Sequence, residues 1–321
     1  MDASIAPNGA ILLGDKVTCD AHWDRSLRIV THAHADHLWG LEESLKYCQQ
    51  VISSPATKDL VEILRGIPGL TPLPFGELRE CEGERLTLFN AGHILGSAQV
   101  LVEKPDGRRI LYSGDFCLSR AEVIPADTLV MEATYGHPGQ VRRFKHKLER
   151  MMGELLEKLL QSGPIYIFGY HGKLLEVLAI LKRLEVGVPI ILPQRTCLLA
   201  QLGQRYGMEF PSYLSSTSEE GRRATSDTHI ILYHTGAKRY IGGGSSRITL
   251  SGWEFEYPWR QISERDYVLA LSDHSDFEEL LEYVKRCSPQ LVITDNYRVG
   301  DAQTLARQIR ENLHIEAAAM P

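Results

Sequence analysis

The run Thr31-His32-Ala33-His34-Ala35-Asp36-His37 puts three imidazoles and a carboxylate within six positions, directly after the apolar stretch Leu27 to Val30. Nitrogen and oxygen donors gathered on one loop suit a borderline divalent metal such as zinc. In extended backbone His32 and His34 project to the same side, while Asp36 and His37 can turn toward a second ion, so one loop can serve two metals. A lone histidine is more often a hydrogen-bonded or surface residue than a ligand, but four such groups together would be costly to bury unpaired. Further donors come later: His93 in Asn90-Ala91-Gly92-His93-Ile94-Leu95-Gly96-Ser97, and Asp115 in Leu111-Tyr112-Ser113-Gly114-Asp115-Phe116. Both follow apolar runs and sit beside glycine, where a tight loop can bring a side chain to a common point, and Asp115 can bridge two ions.

These loops need strands to hold them. Leu27 to Thr31, Leu86 to Asn90, Ser97 to Glu103, Arg109 to Ser113 and Asp127 to Glu132 read as short strands, with Lys104-Pro105-Asp106-Gly107 as a hairpin turn and two helices among them. The pattern changes near Gly136-His137-Pro138-Gly139. A helix is expected over Val141 to Gln161, then a strand at Pro164 to Phe168, a helix at Lys173 to Leu184 and a strand at Val188 to Leu192. The polar stretch Ser212 to Asp227 and the run Gly242 to Ser246 are the loop candidates. A strand at Tyr267 to Leu271, a helix at Phe277 to Cys287 and a strand at Gln290 to Thr294 follow. The expected organisation is a first domain at 1–138, an inserted α/β domain at 139–262, and completion of the first domain by 263–321.

Composition constrains the partners. With 43% hydrophobic and 24% charged residues the chain should build a packed core, and 321 residues leave room for a second unit. A formal net charge of -6 means that any grip on phosphates must come from a local basic patch or from metal. The six cysteines are scattered without a close pair and read as buried thiols in a reducing cytoplasm. No basic-then-apolar leader opens the sequence given, and no apolar stretch approaches the roughly 18 residues of a membrane span. A soluble cytoplasmic protein without membrane contact is expected.

In order and approximate spacing, the His-x-His-x-Asp-His loop, the later Gly-His with Leu-Gly-Ser, and the strand ending in Ser-Gly-Asp resemble the metal motifs of the metallo-β-lactamase superfamily. Leu129-Val130-Met131-Glu132-Ala133-Thr134-Tyr135-Gly136 and Leu271-Ser272-Asp273-His274-Ser275-Asp276-Phe277 resemble the acidic and histidine-bearing motifs of its β-CASP nucleases. Ser251-Gly252-Trp253 followed by the Ser-Asp-His segment is similar to small exonucleases of this branch associated with DNA ligase. The resemblance implies an α/β fold: a metallo-β-lactamase αββα sandwich with an inserted α/β β-CASP domain.

It also implies the chemistry. Two divalent ions, zinc with manganese as the alternative, would be held by His32, His34, Asp36, His37, His93 and Asp115, with Asp20 orienting the ligands. The third motif departs from the family: where RNA-processing members carry a histidine, this chain has Asp295, the candidate remaining ligand of the second ion. Asp36 would also accept a hydrogen bond from the attacking water, and His274, held by Glu132, would protonate the departing sugar oxygen. Gly172 and Lys173, opening a helix, could hold a phosphate, as could Arg247 with Lys238 and Arg239 around the glycine run; a plain helix start and a surface loop are the bland alternatives. Arg142, Arg143, Lys145 and Lys147 read as a solvated helix face.

The expected activity is phosphodiester hydrolysis of nucleic acid by an exonuclease on single-stranded DNA, with RNA processing as the alternative. DNA is favoured by the third motif, whereas the glutamate of the acidic motif and the Gly-His-x-Leu-Gly-Ser form look more like the RNA branch. A small-molecule metallohydrolase and a non-catalytic subunit are the rivals. A second copy of the chain, or a repair or processing complex, completes the partners considered.

Overall fold

The computed structural model describes residues 2–240 and 244–321. Gly242 and Gly243 of the glycine run and the side chain of Arg239 lie outside the described residues. The chain forms two compact units, Met1–Val141 with Asp273–Pro321, and Arg142–Ser272.

Among the described residues the first unit has two sheets. One, in the order β1 to β6, joins β1 (Ala3–Ile5), β2 (Ile11–Leu13), β3 (Val17–Cys19), β4 (Leu27–Ile29), β5 (Gln50–Ser53) and β6 (Thr71–Pro72). Helices α1 (Leu41–Tyr47) and α2 (Pro55–Arg65) lie beside β5 and β6. The other contains β7 (Leu78–Cys81), β8 (Glu84–Asn90), β9 (Ala98–Glu103), β10 (Arg109–Tyr112) and β11 (Thr128–Met131), with two strands from the C-terminal segment.

The second unit is a sheet flanked in sequence by α3 (Leu148–Leu160), α4 (His171–Arg183), α5 (Gln194–Arg205) and α6 (Glu219–Ala224). Its strands are β12 (Ile165–Gly169), β13 (Ile190–Leu192), β14 (Leu214–Ser215), β15 (Ile230–His234), β16 (Ser246–Ser251), β17 (Trp259–Gln261) and β18 (Asp266–Ala270). They run in the order β14-β13-β15-β12-β16-β18-β17, parallel except for the edge strand β17. Returning to the first unit, α7 (Phe277–Cys287), β19 (Leu291–Asp295), α8 (Ala302–Leu313) and β20 (Glu316–Met320) complete the second sheet, ordered β20-β19-β11-β10-β9-β8-β7.

The second sheet of the first unit is covered on both faces, which is why its strands read as unbroken apolar runs. Ala98, Val100 and Val102 of β9, Ile110 and Tyr112 of β10 and Val130 of β11 face Ile11, Leu13, Val17, Ile29 and Ile52 of the first sheet. Their alternates Leu101, Leu111, Leu129 and Met131 face Leu280, Tyr283 and Val284 of α7 and Leu305 and Ile309 of α8. Each fully buried aliphatic here contributes about 1.5–3 kcal/mol, so truncating Leu88 or Leu111 to alanine removes several such contacts at once. Helix α7 begins at a capping box, Asp276 accepting from Glu279 N while the Glu279 carboxylate accepts from Asp276 N, and stops at Ser288 in left-handed backbone.

Three expectations are corrected. The helix expected from Val141 starts at Leu148, after a 3₁₀ turn at Lys145–Lys147. Arg142 is buried rather than solvated: its guanidinium meets the carbonyls of Gly252 and Glu254 and stacks on Phe255, 4.5 Å from the ring centre. Leu214–Ser215 and Glu219–Ala224, inside the polar stretch expected as a loop, are a strand and a helix; the Ser218 hydroxyl caps the helix by accepting from Gly221 N. Among the described residues no helix is long and apolar enough to cross a membrane.

Candidate metal centre

The first unit brings the early donors to one point. After β4 the chain bends at Ala33 and His34, the latter with extended dihedrals, then turns through a 3₁₀ segment at Ala35–His37, so the loop presents its side chains in two directions. His32 Nε2 lies 3.1 Å from His34 Nδ1, and His93 Nε2 lies 3.2 Å from the same atom. Asp115 Oδ2 is 3.6 Å from His32 Nε2, 3.8 Å from His93 Nε2 and 3.4 Å from His37 Nε2. Asp36 Oδ2 stands 3.5 Å from His37 Nε2. A tetrahedral site with bonds of about 2.0–2.1 Å has edges of about 3.4 Å, so these separations are those of donors around a cation.

The loops that carry the later donors are held tightly. His93 N donates to Ser97 Oγ at 2.9 Å. Gly114, with φ +55°, precedes Asp115 where a Cβ would fall 2.7 Å from the carbonyl of Ala98, so the close approach of this loop to β9 requires glycine.

Asp20 is the hub behind the loop. It takes left-handed backbone, φ +62°, uncommon for a non-glycine residue. Its wholly buried carboxylate accepts from Thr31 N at 2.8 Å, from the Thr31 hydroxyl, from Tyr112 Oη at 3.0 Å and from His37 Nδ1 at 2.8 Å. The bond to Nδ1 leaves His37 Nε2 as the donor atom toward Asp115, and in the same way His93 Nδ1 donates to the carbonyl of Asp273 at 3.0 Å. Thr31 and Tyr112 escaped notice in the sequence; the cue was parity, since Tyr112 sits on the inward face of β10.

Protonation states fit a metal. Burial, reinforced by neighbouring imidazoles, holds His32 well below the usual histidine range, lowers His34 and brings His93 to about 3, so all three offer neutral lone pairs. Burial opposes ionisation of Asp115, but the imidazoles of His37 and His32 outweigh it and keep the carboxyl well below the usual range. His37 is likewise disfavoured by burial, yet Asp115 and Asp20 raise it to about 10. Its Nε2 is buried without a hydrogen-bond partner, an orphaned donor atom aimed at the carboxylates, where a cation can replace the proton. His32, His34, His93 and Asp115 together form a group able to hold a metal ion.

His274 completes the wall. Its Nδ1 donates to Glu132 Oε2 at 2.8 Å, and Glu132 Oε1 accepts from Phe116 N at 2.7 Å. Ser275 fastens the segment, donating from N to the carbonyl of Phe116 and accepting at Oγ from Leu118 N. The ring centre of His274 is 4.4 Å from that of His93. Burial pushes His274 down, but the charge of Glu132 and the hydrogen bond to it raise it to about 9, so it is a cation at neutral pH. The cap of α7 falls to Asp276, not to His274.

Other expected residues are placed elsewhere. Asp295 is not in a metal-binding group among the described residues. Its Oδ2 pairs with Arg298 Nη1 at 2.7 Å and its Oδ1 accepts from Tyr297 N and Arg298 N. The carboxylate is taken up by a largely buried guanidinium three residues on. In the second unit Arg247 is bound to Asp266 at 2.7 Å beside Lys238, which reaches Thr249 Oγ1 at 2.7 Å. Gly172 and Lys173 lie in the first turn of α4, at the carboxyl edge of β12, near His171 and His234, whose ring centres are 4.6 Å apart.

No protein-family model matches the chain. It is 30% identical over 306 residues to a probable DNA ligase of Opitutus terrae, covering 91% of this chain and 28% of that protein. It is 30% identical over 182 residues to an RNase J-like protein of Methanocaldococcus jannaschii, covering 47% of this chain and 42% of that one. The chain thus spans less than half the length of both relatives. Among solved structures it resembles a protein of unknown function from Enterococcus faecalis V583, with a TM-score of 0.67, 15% identity, and coverage of 92% of this chain and 79% of that one, a likeness of fold alone.

Proposed function

We propose that the chain is a member of the β-CASP nuclease family of the metallo-β-lactamase superfamily and hydrolyses phosphodiester bonds of nucleic acid at the centre around Asp115. On this reading the first unit is the αββα sandwich and the second the inserted β-CASP domain. The observation that carries it is the shared vertex: a single atom, Asp115 Oδ2, stands 3.4–3.8 Å from His32, His93 and His37.

Three neutral imidazoles, His32, His34 and His93, would hold one ion, while Asp36 and His37 would hold a second, with Asp115 between them. Zinc suits this nitrogen-rich set, and manganese is the alternative. Divalent ions bound there supply a nucleophile at neutral pH and offset the charge of the phosphate. Asp20 and the carbonyl of Asp273 orient the imidazoles. Asp36, whose side chain is 57% exposed, can accept a proton from the attacking water. Protonated His274, held by Glu132, donates its Nε2 proton to the departing sugar oxygen. Gly172 and Lys173, at the first turn of α4, would hold a backbone phosphate. Arg247 is spent on Asp266 and is not assigned to substrate.

A DNA strand shortened from its end is the first substrate, and RNA the second, since the names of the relatives divide between the two. The test is degradation of end-labelled single-stranded DNA and RNA of one sequence with zinc or manganese, comparing wild type, Asp36→Ala and His274→Ala. Shortening of either strand that both substitutions stop supports the reading. Intact strands in the presence of bound metal would favour a small-molecule hydrolase or a non-catalytic subunit.

A further inference from the structure

Trp39 follows the metal loop by two residues and leaves 57% of its surface exposed. Its backbone is pinned. The carbonyl accepts from Arg28 Nη1 at 2.8 Å and from His22 N at 3.2 Å, and Trp39 bridges to Ala21 in parallel. Arg28 is wholly buried; its Nη1 also donates to Ser44 Oγ at 2.9 Å, and its Nη2 reaches the carbonyl of His37 at 3.3 Å. One guanidinium therefore ties the carbonyl of a metal-loop histidine to that of the exposed tryptophan. Gly40, with φ +62°, lets the chain turn here, since a Cβ would lie 2.7 Å from His22 Cβ. Trp23, next to His22, is 38% exposed on the adjoining segment.

A large indole left in water, on backbone fixed to the metal loop, is preorganised to receive a flat apolar partner. The nearby charges argue against a bare phosphate as that partner: on the adjoining segments 21–26 and 40–47 the exposed charged residues are Asp24, Glu42, Glu43 and Lys46, a net negative set. We propose that Trp39, with Trp23 on the adjoining segment, is a stacking platform for a nucleobase of a single-stranded substrate, flanking the phosphate at the metal centre. The proposal rests on the nuclease reading. It makes Trp39 a substrate-binding residue that acts on any base, because every base offers a π face.

The test uses the full chain in a His274→Ala background, so that bound strands stay uncut. Fluorescence anisotropy measures binding of a labelled single-stranded oligonucleotide and of the same strand with abasic positions, with Trp39 intact or changed to Ala or Phe. Trp39→Ala should weaken binding of the base-bearing strand about tenfold, and Trp39→Phe by less, with no change on the abasic strand. Equal affinity of Trp39→Ala and its parent for the base-bearing strand overturns the proposal. So does an equal loss on both strands, which would mark a structural role, and so does failure of the parent to bind either strand. If base-dependent binding through Trp39 holds while the wild type cuts nothing, the platform stands and the nuclease reading falls.

Discussion

Asp20 Oδ2 and His37 Nδ1 lie 2.8 Å apart, both side chains wholly shielded from solvent. A buried carboxylate of this kind works through its neighbour: it sets which nitrogen of His37 faces the ligands and strengthens that nitrogen as a donor. Burial raises the carboxyl of Asp20, but the imidazolium of His37 outweighs it and the net direction is down.

Replacing Asp20 with asparagine keeps the size of the side chain and removes its charge. Metal affinity should fall by about 10- to 100-fold, as it does for other outer partners of ligating histidines. Titration with zinc by calorimetry reads this directly, and wild-type affinity in the Asp20→Asn protein would show that the Asp20 charge does not support the ligands.

Removal of metal should cost stability, because neutral imidazoles and a carboxylate whose ligand atoms lie within 4.8 Å of one another have few other partners. Free metal at 100 times its dissociation constant stabilises the fold by about 2.7 kcal/mol. The midpoint of thermal unfolding should therefore drop with a chelator and recover with added zinc. A midpoint that ignores both would mean that the cluster holds no ion.

The pH dependence follows from His274. Its pKa is raised to about 9, so the proton-donating form is populated below that pH and lost above it. Cleavage should decline as pH rises through about 9. Glu132→Gln removes the stabilising charge, lowers the pKa of His274 and should shift this decline to lower pH. An unchanged basic limb in Glu132→Gln would separate His274 from proton transfer.

Asp295→Ala tests its reassignment. The substitution leaves the largely buried guanidinium of Arg298 without its carboxylate and should destabilise the protein by about 3–5 kcal/mol. Metal stoichiometry should stay as in the wild type, measured by elemental analysis of the folded protein. Loss of one ion from a stable protein would instead restore Asp295 as a ligand.

Much of the site could be read along the chain because its donors are local. Three histidines and an aspartate on one loop carry their meaning in their spacing, and His93 and Asp115 announce themselves by following apolar strands beside glycine. Helix α7 runs over Phe277–Cys287, as its apolar period implies, since its capping box and buried face are both encoded within its own residues. Where a side chain owes its place to distant partners, the sequence is silent: Arg142 is buried by carbonyls more than a hundred residues away. Glu219–Ala224 is local but polar, so no apolar period marks it, and its helix rests on the cap at Ser218.

What the sequence by itself determined is therefore the donor set and the strands that carry it. Only the tertiary structure decided which atoms meet: that Asp115 Oδ2 lies among three imidazoles, that Glu132 reaches His274 across 142 positions, and that Asp295 turns to Arg298. The physical reason is that residue type and local period specify what a side chain can bind. Whether its partner is a metal ligand, a guanidinium or solvent depends on which sheet edge or loop is packed against it, and here β19 and β20 extend the second sheet while α7 and α8 cover one of its faces.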